Sequence, residues 1–298
     1  MRLPFVDRDA ELARLRRALT AKTSSLVCVY GRRRVGKSRL VTTALEGLAA
    51  VYYLADERDE RLQRQSLARE IERLVAGFAR VEYPDWDALL DRWAEVAPPG
   101  AVLAIDELPY LVSAAPALPS ILQRRIDRGV GRQHLIVCGS SQRMMHGIVL
   151  DATAPLYGRA REIVKVEPLP FPYLSEALRI RRADDAVAAF ATWGGIPRYW
   201  ELARGTASLA IAQRDLVLDP LGVLHAEPPA PAARRAQRDD AGALDPRAHR
   251  PGLSPDLGDR GPARAPGDQP RTSARAARRH RPRQARATLR RASATQQA

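Results

Sequence analysis

The sequence predicts an α/β domain: a parallel sheet of buried strands joined by crossover helices. Two observations carry that prediction. Four short apolar runs rich in β-branched residues, SLVCVY, AVYYLA, AVLAID and HLIVCG, fit strands buried on both faces. The stretches between them have helical periodicity, and strands alternating with helices build parallel sheets.

Taken in order, residues 9–19 put Leu12, Leu15 and Leu19 on one helical face. The first strand runs to Tyr30, and a helical stretch, Arg39–Leu48, follows it. The second strand lies near Val51. Helical patterns then span Asp59–Leu74 and Asp85–Val96 before the third strand, which ends in Asp106 and Glu107. The fourth strand, HLIVCG, leads into Ser140 and Ser141, and a fifth is expected at EIVKVEPL, from Glu162. Beyond Phe171 the pattern becomes mostly helical. The reading is therefore a core over 1–170, a small helical lid over 171–227, and a tail over 228–298.

The tail differs in kind. From Pro228 onward there is no Ile, Val, Phe, Tyr, Trp, Met or Cys, so it cannot bury enough apolar surface to offset the ordering cost, and disorder is expected. It carries 16 Arg against 6 Asp, which is +10 of the net +14. Two readings of it stand: a basic, nucleic-acid-binding extension, or the product of a shifted reading frame in a GC-rich gene. Only Cys28 and Cys138 occur, with no CxxC or Cys/His cluster, so neither a disulfide framework nor a zinc site is expected. The two thiols lie on strands expected to be neighbours and so to be close in space. His134 and His146 lack ligand-spaced partners and receive no role. No apolar run is long enough for a membrane helix and the N-terminus has no apolar signal region; the expectation is a reduced, cytoplasmic protein without a membrane partner.

Gly31-Arg-Arg-Arg-Val-Gly-Lys-Ser38 matches GxxxxGK[ST] between a predicted buried strand and a helix, the setting in which that pattern forms a phosphate loop. Its N–H groups and the helix N-terminus make an anion cradle. Gly31 and Gly36 permit backbone turns that a Cβ would hinder. Lys37 is placed for the β- and γ-phosphates and Ser38 for Mg²⁺. The candidate nucleotide-binding set is Gly31, Arg32, Arg33, Arg34, Val35, Gly36, Lys37, Ser38 and Arg39. Only Lys22, Lys37 and Lys165 are lysines, so a chain that otherwise uses Arg places Lys where a compact ammonium suits phosphate.

Asp106 and Glu107 end a buried strand. Asp106 is placed to hold Mg²⁺ and Glu107 to polarise the attacking water; a solvated turn is the alternative. The chain contains no Asn, so it lacks the Asn-Lys-x-Asp base-reading motif of a GTPase. A small-molecule kinase would not require the acidic pair. The reading is an ATP-hydrolysing P-loop NTPase of the ASCE type, in which an extra strand separates the two motif strands. Ser140 or Ser141 then either senses the γ-phosphate or caps a helix.

FVDRDAELARL, VYGRRRVGKSRL, AIDELPYL, LIVCGSS, PLYGRARE and GGIPRYW occur in an order that resembles the archaeal-type ATPase family of the STAND/AAA-related P-loop proteins, over roughly residues 3–227. Members of that family often add a winged helix and a nuclease-like C-terminal domain. Neither is recognisable here, which fits a truncated or frameshifted C-terminus. The resemblance implies that the arginine run in the loop is a family habit, its side chains free to face solvent, the lid or a partner. It also implies that Arg159 could reach the γ-phosphate in cis or across a subunit boundary; a plain surface arginine is the alternative. It further implies that Gly194, Gly195 and Pro197 form a lid element approaching the nucleotide; a plain helix break is the alternative. Asp7 stands where many members have Gly. Three functions follow: a hydrolysing ATPase whose cycle moves the lid, a slow nucleotide-dependent switch read by a partner protein, and a DNA-associated regulator. The class also admits a homo-oligomer.

Overall fold

The computed structural model describes residues 3–129 and 132–227. The tail from Pro228, and with it the expectations of disorder, DNA binding and a shifted frame, lies outside the described residues.

Five parallel strands form one sheet: β1 Leu26–Tyr30, β2 Ala50–Leu54, β3 Val102–Asp106, β4 His134–Gly139 and β5 Ala160–Lys165. Their order is β2-β3-β4-β1-β5. β4 therefore separates β1, which feeds the phosphate loop, from β3, which carries the acidic pair. This is the ASCE arrangement.

The central strands β1, β3 and β4 are buried almost throughout, as continuous apolar runs require. β2 departs from the expectation of burial on both faces. It is an edge strand, so Val51 and Tyr53 point inward while Leu54 is exposed. β5, at the other edge, alternates in the same way.

Helices cover both faces. α1 (Asp9–Leu19) and α2 (Lys37–Leu45) pack on Val27, Val29, Ile136 and Cys138. On the other face, α3 (Glu60–Glu72), α4 (Trp86–Val96), α5 (Leu108–Ala114) and α6 (Leu118–Arg128) pack on Cys28, Leu103, Ile105 and Val137. The starts of α3 and α4 are fixed by side-chain caps: Asp59 accepts from the Leu62 N–H and Asp85 from the Ala88 N–H.

The register corrects one expectation. Val29 pairs with Cys138, and Cys28 with Val137. The two thiols thus point to opposite faces of the sheet, because successive residues alternate. Both are buried and free, and burial pushes the Cys28 thiol up to about 12.

After β4 come a short helix, α7 (Gln142–Met145), and one wide helical turn over His146–Leu150. Beyond β5 the chain is helical: α8 (Pro172–Leu178), α9 (Ala183–Trp193), α10 (Pro197–Arg204) and α11 (Leu209–Gln213). These four share a core built on Leu174, Ala189, Trp193, Trp200 and Ala212, which Leu3 of the N-terminal segment joins. No helix among the described residues is long and apolar enough to cross a membrane.

Candidate nucleotide site

The C-terminal ends of β3, β4 and β1 lie side by side and carry Asp106-Glu107, Ser140 and Gly31 respectively. Ligands of parallel α/β sheets bind in the crevice at this end. A cleft of about 760 Å³ lies here, lined by Arg33, Arg34, Gly36, Lys37, Ser38, Arg39, Glu107, Tyr110 and Pro197. That volume is within the range of small-molecule sites.

The loop backbone is shaped for the task. Gly36 has φ 98° directly before α2, so only a residue without a Cβ makes that turn freely. At Gly31 a Cβ would overlap the Val166 carbonyl oxygen, so the loop can lie this close to the end of β5 only with glycine there. Arg34 is left-handed as well, with φ 68°. For a residue with a Cβ that conformation carries strain and needs its surroundings to hold it. They do: the Arg34 guanidinium pairs with Glu227 and lies 5.9 Å from the centre of the Tyr199 ring.

Lys37 is buried, and its ammonium donates to the Arg32 carbonyl at 3.0 Å, inside the loop's own curve. Ser38 Oγ donates to Asp106 Oδ2 at 2.5 Å, so a hydroxyl and a carboxylate oxygen meet at one point. Asp106 is 1% exposed. Burial works to raise its pKa. Hydrogen bonds from Ser38, Tyr52, Cys138 and the Glu107 N–H outweigh burial and hold the carboxyl below its ordinary value. The Tyr52 bond, 2.6 Å from the hydroxyl to Asp106 Oδ2, was not foreseen from the sequence. Only the in-register pairing of β2 with β3 brings Tyr52 to the acid, and no motif records that pairing.

Glu107 is left-handed, with φ 53°, and its carboxylate turns toward β4. Oε2 accepts from the Ser140 hydroxyl at 2.9 Å and from the Ser140 N–H at 3.1 Å. Ser141 does the other job, accepting from the Met144 N–H to cap α7. Ser141 is thus the helix cap, while Ser140 faces Glu107. Arg33 lies over this pair, donating to Tyr110 Oη at 2.5 Å and to Ser140 Oγ at 3.4 Å.

Not every expected residue faces the cleft in the same way. Val35 is fully buried in the core, so it can offer a ligand only its backbone. Arg39 lines the cleft, but its guanidinium donates to the Leu3 carbonyl at 2.7 Å and covers the Phe5 ring. Pro197 lines the cleft as the first residue of α10. Gly194 ends α9 with φ 54°. A Cβ on Gly195 would collide with the Leu169 backbone, so the helix break and the approach of Pro197 are one feature.

Arg159 is the correction. It stands at the entry to β5, and Ala160 pairs with Leu26 at the start of β1, at the opposite end of the sheet from the phosphate loop. Its guanidinium is held by both oxygens of Asp127, at 2.7 and 2.8 Å. The structure does not bring it to the site in cis.

Two residues of the N-terminal motif gain a physical role. Arg8 is buried and donates to the Glu167 carbonyl at 2.6 Å and the Val35 carbonyl at 3.5 Å, tying the phosphate loop to the segment after β5. Asp7 adopts φ 50°, the backbone conformation that glycine takes most easily.

A family model described as an ATPase domain predominantly from Archaea matches residues 5–202. The chain belongs to this archaeal ATPase family. It is a nucleotide-binding ATPase domain. Over 201 residues it is 33% identical to the uncharacterised protein MJECL04 of Methanocaldococcus jannaschii, covering 66% of this chain and 43% of that relative. The chain therefore spans less than half the length of that protein. Among solved structures, the fold resembles the Walker-type ATPase PABY2304 of Pyrococcus abyssi, with a TM-score of 0.56, 19% identity, and 82% of this chain and 77% of that one covered. It also resembles the ADP form of the ORC2 protein of Aeropyrum pernix, with a TM-score of 0.52, 16% identity, and 72% and 69% covered.

Proposed function

We propose that this ATPase domain hydrolyses ATP to ADP and phosphate with Mg²⁺, and that the helical group over 171–227 acts as its lid. The observation that carries the reading is the convergence of Ser38 Oγ on a buried, ionised Asp106, with the Glu107 carboxylate beside it and Lys37 in the loop.

The donor set fits magnesium. Among the described residues no group of three or more His, Cys, Asp and Glu could hold a metal by itself. Mg²⁺ ordinarily takes one or two carboxylates together with substrate phosphate and water. Asp106 supplies the charge, and Ser38 supplies an oxygen. Bound there, the ion would neutralise charge developing on the phosphate oxygens.

The chain's own residues supply the rest. Lys37 exchanges the Arg32 carbonyl for phosphate oxygens, a charge-assisted bond stronger than the one it leaves. The loop N–H groups at the start of α2 bind the phosphates. Glu107 accepts the proton of the attacking water while Ser140 fixes the direction of its carboxylate. Arg33, whose guanidinium donates to Ser140 Oγ, is placed to take the charge-stabilising part that the resemblance implied for Arg159.

A slow switch is the second reading, and one observation favours it. Arg34 joins the phosphate loop to Glu227 and Tyr199, so loop and helical group are held by shared contacts. Phosphate occupying the loop would bear on those contacts whether or not turnover is fast. A DNA-associated regulator that recruits a partner is a separate proposal, as is self-association.

The test is Mg²⁺-dependent phosphate release from ATP by the full chain and by Asp106→Asn. Activity in the wild type that is lost in the variant supports hydrolysis at this site. Equal activity in the two would refute it.

A further inference from the structure

We propose that the cavity at the end of the sheet opposite the phosphate loop is a second ligand site, and that it takes a small amphipathic monocarboxylate, with its apolar body inside and its carboxylate on Arg161. The cavity measures about 240 Å³ and lies where β1, β3, β4 and β5 begin, roofed by α4 and α6. Six residues of β4 at about 3.3 Å each put it roughly 20 Å from Ser140, so it is not part of the nucleotide cleft.

Three observations define what fits. The apolar lining comes from Leu26, Trp93, Leu103, Leu122 and Ile126, and Ser24, Ser25 and Gln133 add neutral polar groups. An aromatic ring or branched chain is the matching body, since dry cavities of about 150 Å³ already hold one benzene ring.

The second observation is the rim charge. Three guanidinium groups line the cavity: Arg125, Arg159 and Arg161. Arg125 is paired with Asp91, and Arg159 is clamped by Asp127. Arg161 meets only neutral hydroxyls, Thr23 Oγ1 at 3.0 Å and Ser25 Oγ at 3.4 Å, with no carboxylate partner among the described residues. Among the described residues one cation at the mouth is therefore uncompensated, and a guanidinium fork matches a carboxylate.

The third is His134. It lines the cavity at 2% exposure, and its buried Nδ1 has no hydrogen-bond partner among the described residues. Burial, with the Arg161 charge beside it, holds the ring below its ordinary pKa, so it is neutral and adds no second cation deep in the cavity. The polar and charged groups are thus arranged for one anion at the mouth and an uncharged body within.

The test uses 3-phenylpropionate on the full chain, followed by NMR of the His134 imidazole and the Trp93 indole, with affinity from the same titration. The controls are acetate, the neutral 3-phenylpropanamide, and the Arg161→Glu variant, whose changed residue is exposed and not part of the core. The expected result is saturable perturbation of His134 and Trp93 by the acid. Binding should be about fivefold weaker for the amide and at least as much weaker for Arg161→Glu, and acetate should give no saturation. Three results would overturn the proposal: no perturbation at millimolar acid, equal affinities for acid and amide or for wild type and variant, or perturbation confined to residues of the phosphate loop.

Discussion

The Ser140 hydroxyl lies 2.9 Å from Glu107 Oε2, and its N–H lies 3.1 Å from the same oxygen. One carboxylate oxygen is thus fixed by two donors from the neighbouring strand. Because Glu107 is itself in a left-handed conformation, its side chain is aimed by backbone and partner together. Replacing Ser140 with Ala leaves the N–H but removes the hydroxyl. The expected outcome is a fall of about tenfold in single-turnover hydrolysis with little change in ATP affinity, since a hydrogen bond to a charged group is worth roughly 1.5–3 kcal/mol. Stopped-flow phosphate release and equilibrium binding separate the two effects.

Tyr52→Phe removes one of the bonds that hold Asp106 ionised. The variant is expected to be about 1.5 kcal/mol less stable at neutral pH. The pH dependence has a definite sign. The folded-state pKa of Asp106 is depressed, so the stability its charge contributes is present above the unfolded carboxyl value of about 3.9 and is lost as pH falls through the lower folded value. The gap between wild type and variant should therefore hold from pH 7 down to about pH 4 and narrow below it. Urea unfolding at a series of pH values checks this.

Gly195→Ala would push a methyl group into the Leu169 backbone, where neither partner is a flexible side-chain end. The expected cost is about 2 kcal/mol, the range for overpacking in a closed structure. The shift should also displace α10 and with it Pro197, so ATP affinity should fall together with Tm. A thermal melt with and without ATP reads both.

Arg159→Ala is expected to leave hydrolysis within about twofold of wild type. About 20 Å of β5 separates Arg159 from the phosphate loop, and solvent ions screen charges over about 10 Å. An arginine finger would show a loss of roughly 10³ or more. Steady-state ATPase rates at equal protein concentration decide between these.

The contrast between Arg159 and Ser140 shows what the sequence made legible. The phosphate loop, the acidic pair and the serines are local patterns next to strand ends, and the parallel sheet follows from the alternation of buried runs with helices, while the strand inserted between the two motif strands was expected from the motifs. Their meeting at one end of the sheet follows from parallel topology alone. Arg159 was assigned through motif resemblance, which fixes position in the chain but not which end of a strand a residue occupies. The fifth strand expected from Glu162 already put Arg159 before its start, which in a parallel sheet is the end opposite the phosphate loop, and the motif resemblance was followed instead. Tyr52 and Arg8 act through register and long-range contact, so no spacing in the sequence reports them. Cys28 and Cys138 were rightly expected on neighbouring strands. The offset of one residue that sends them to opposite faces belongs to the pairing and not to either segment. Asp7 is the converse case: a residue in a position where glycine is usual in the family was visible in the sequence, and its φ of 50° gives the reason.

The measurement closest to the central claim is ATP binding and single-turnover hydrolysis by wild type, Lys37→Ala and Glu107→Gln. The expected result is that wild type hydrolyses, Glu107→Gln binds ATP without hydrolysing it, and Lys37→Ala loses roughly 10- to 100-fold in affinity, as removal of a charge-assisted bond implies. Wild type that binds ATP tightly but turns it over no faster than Glu107→Gln would contradict the account.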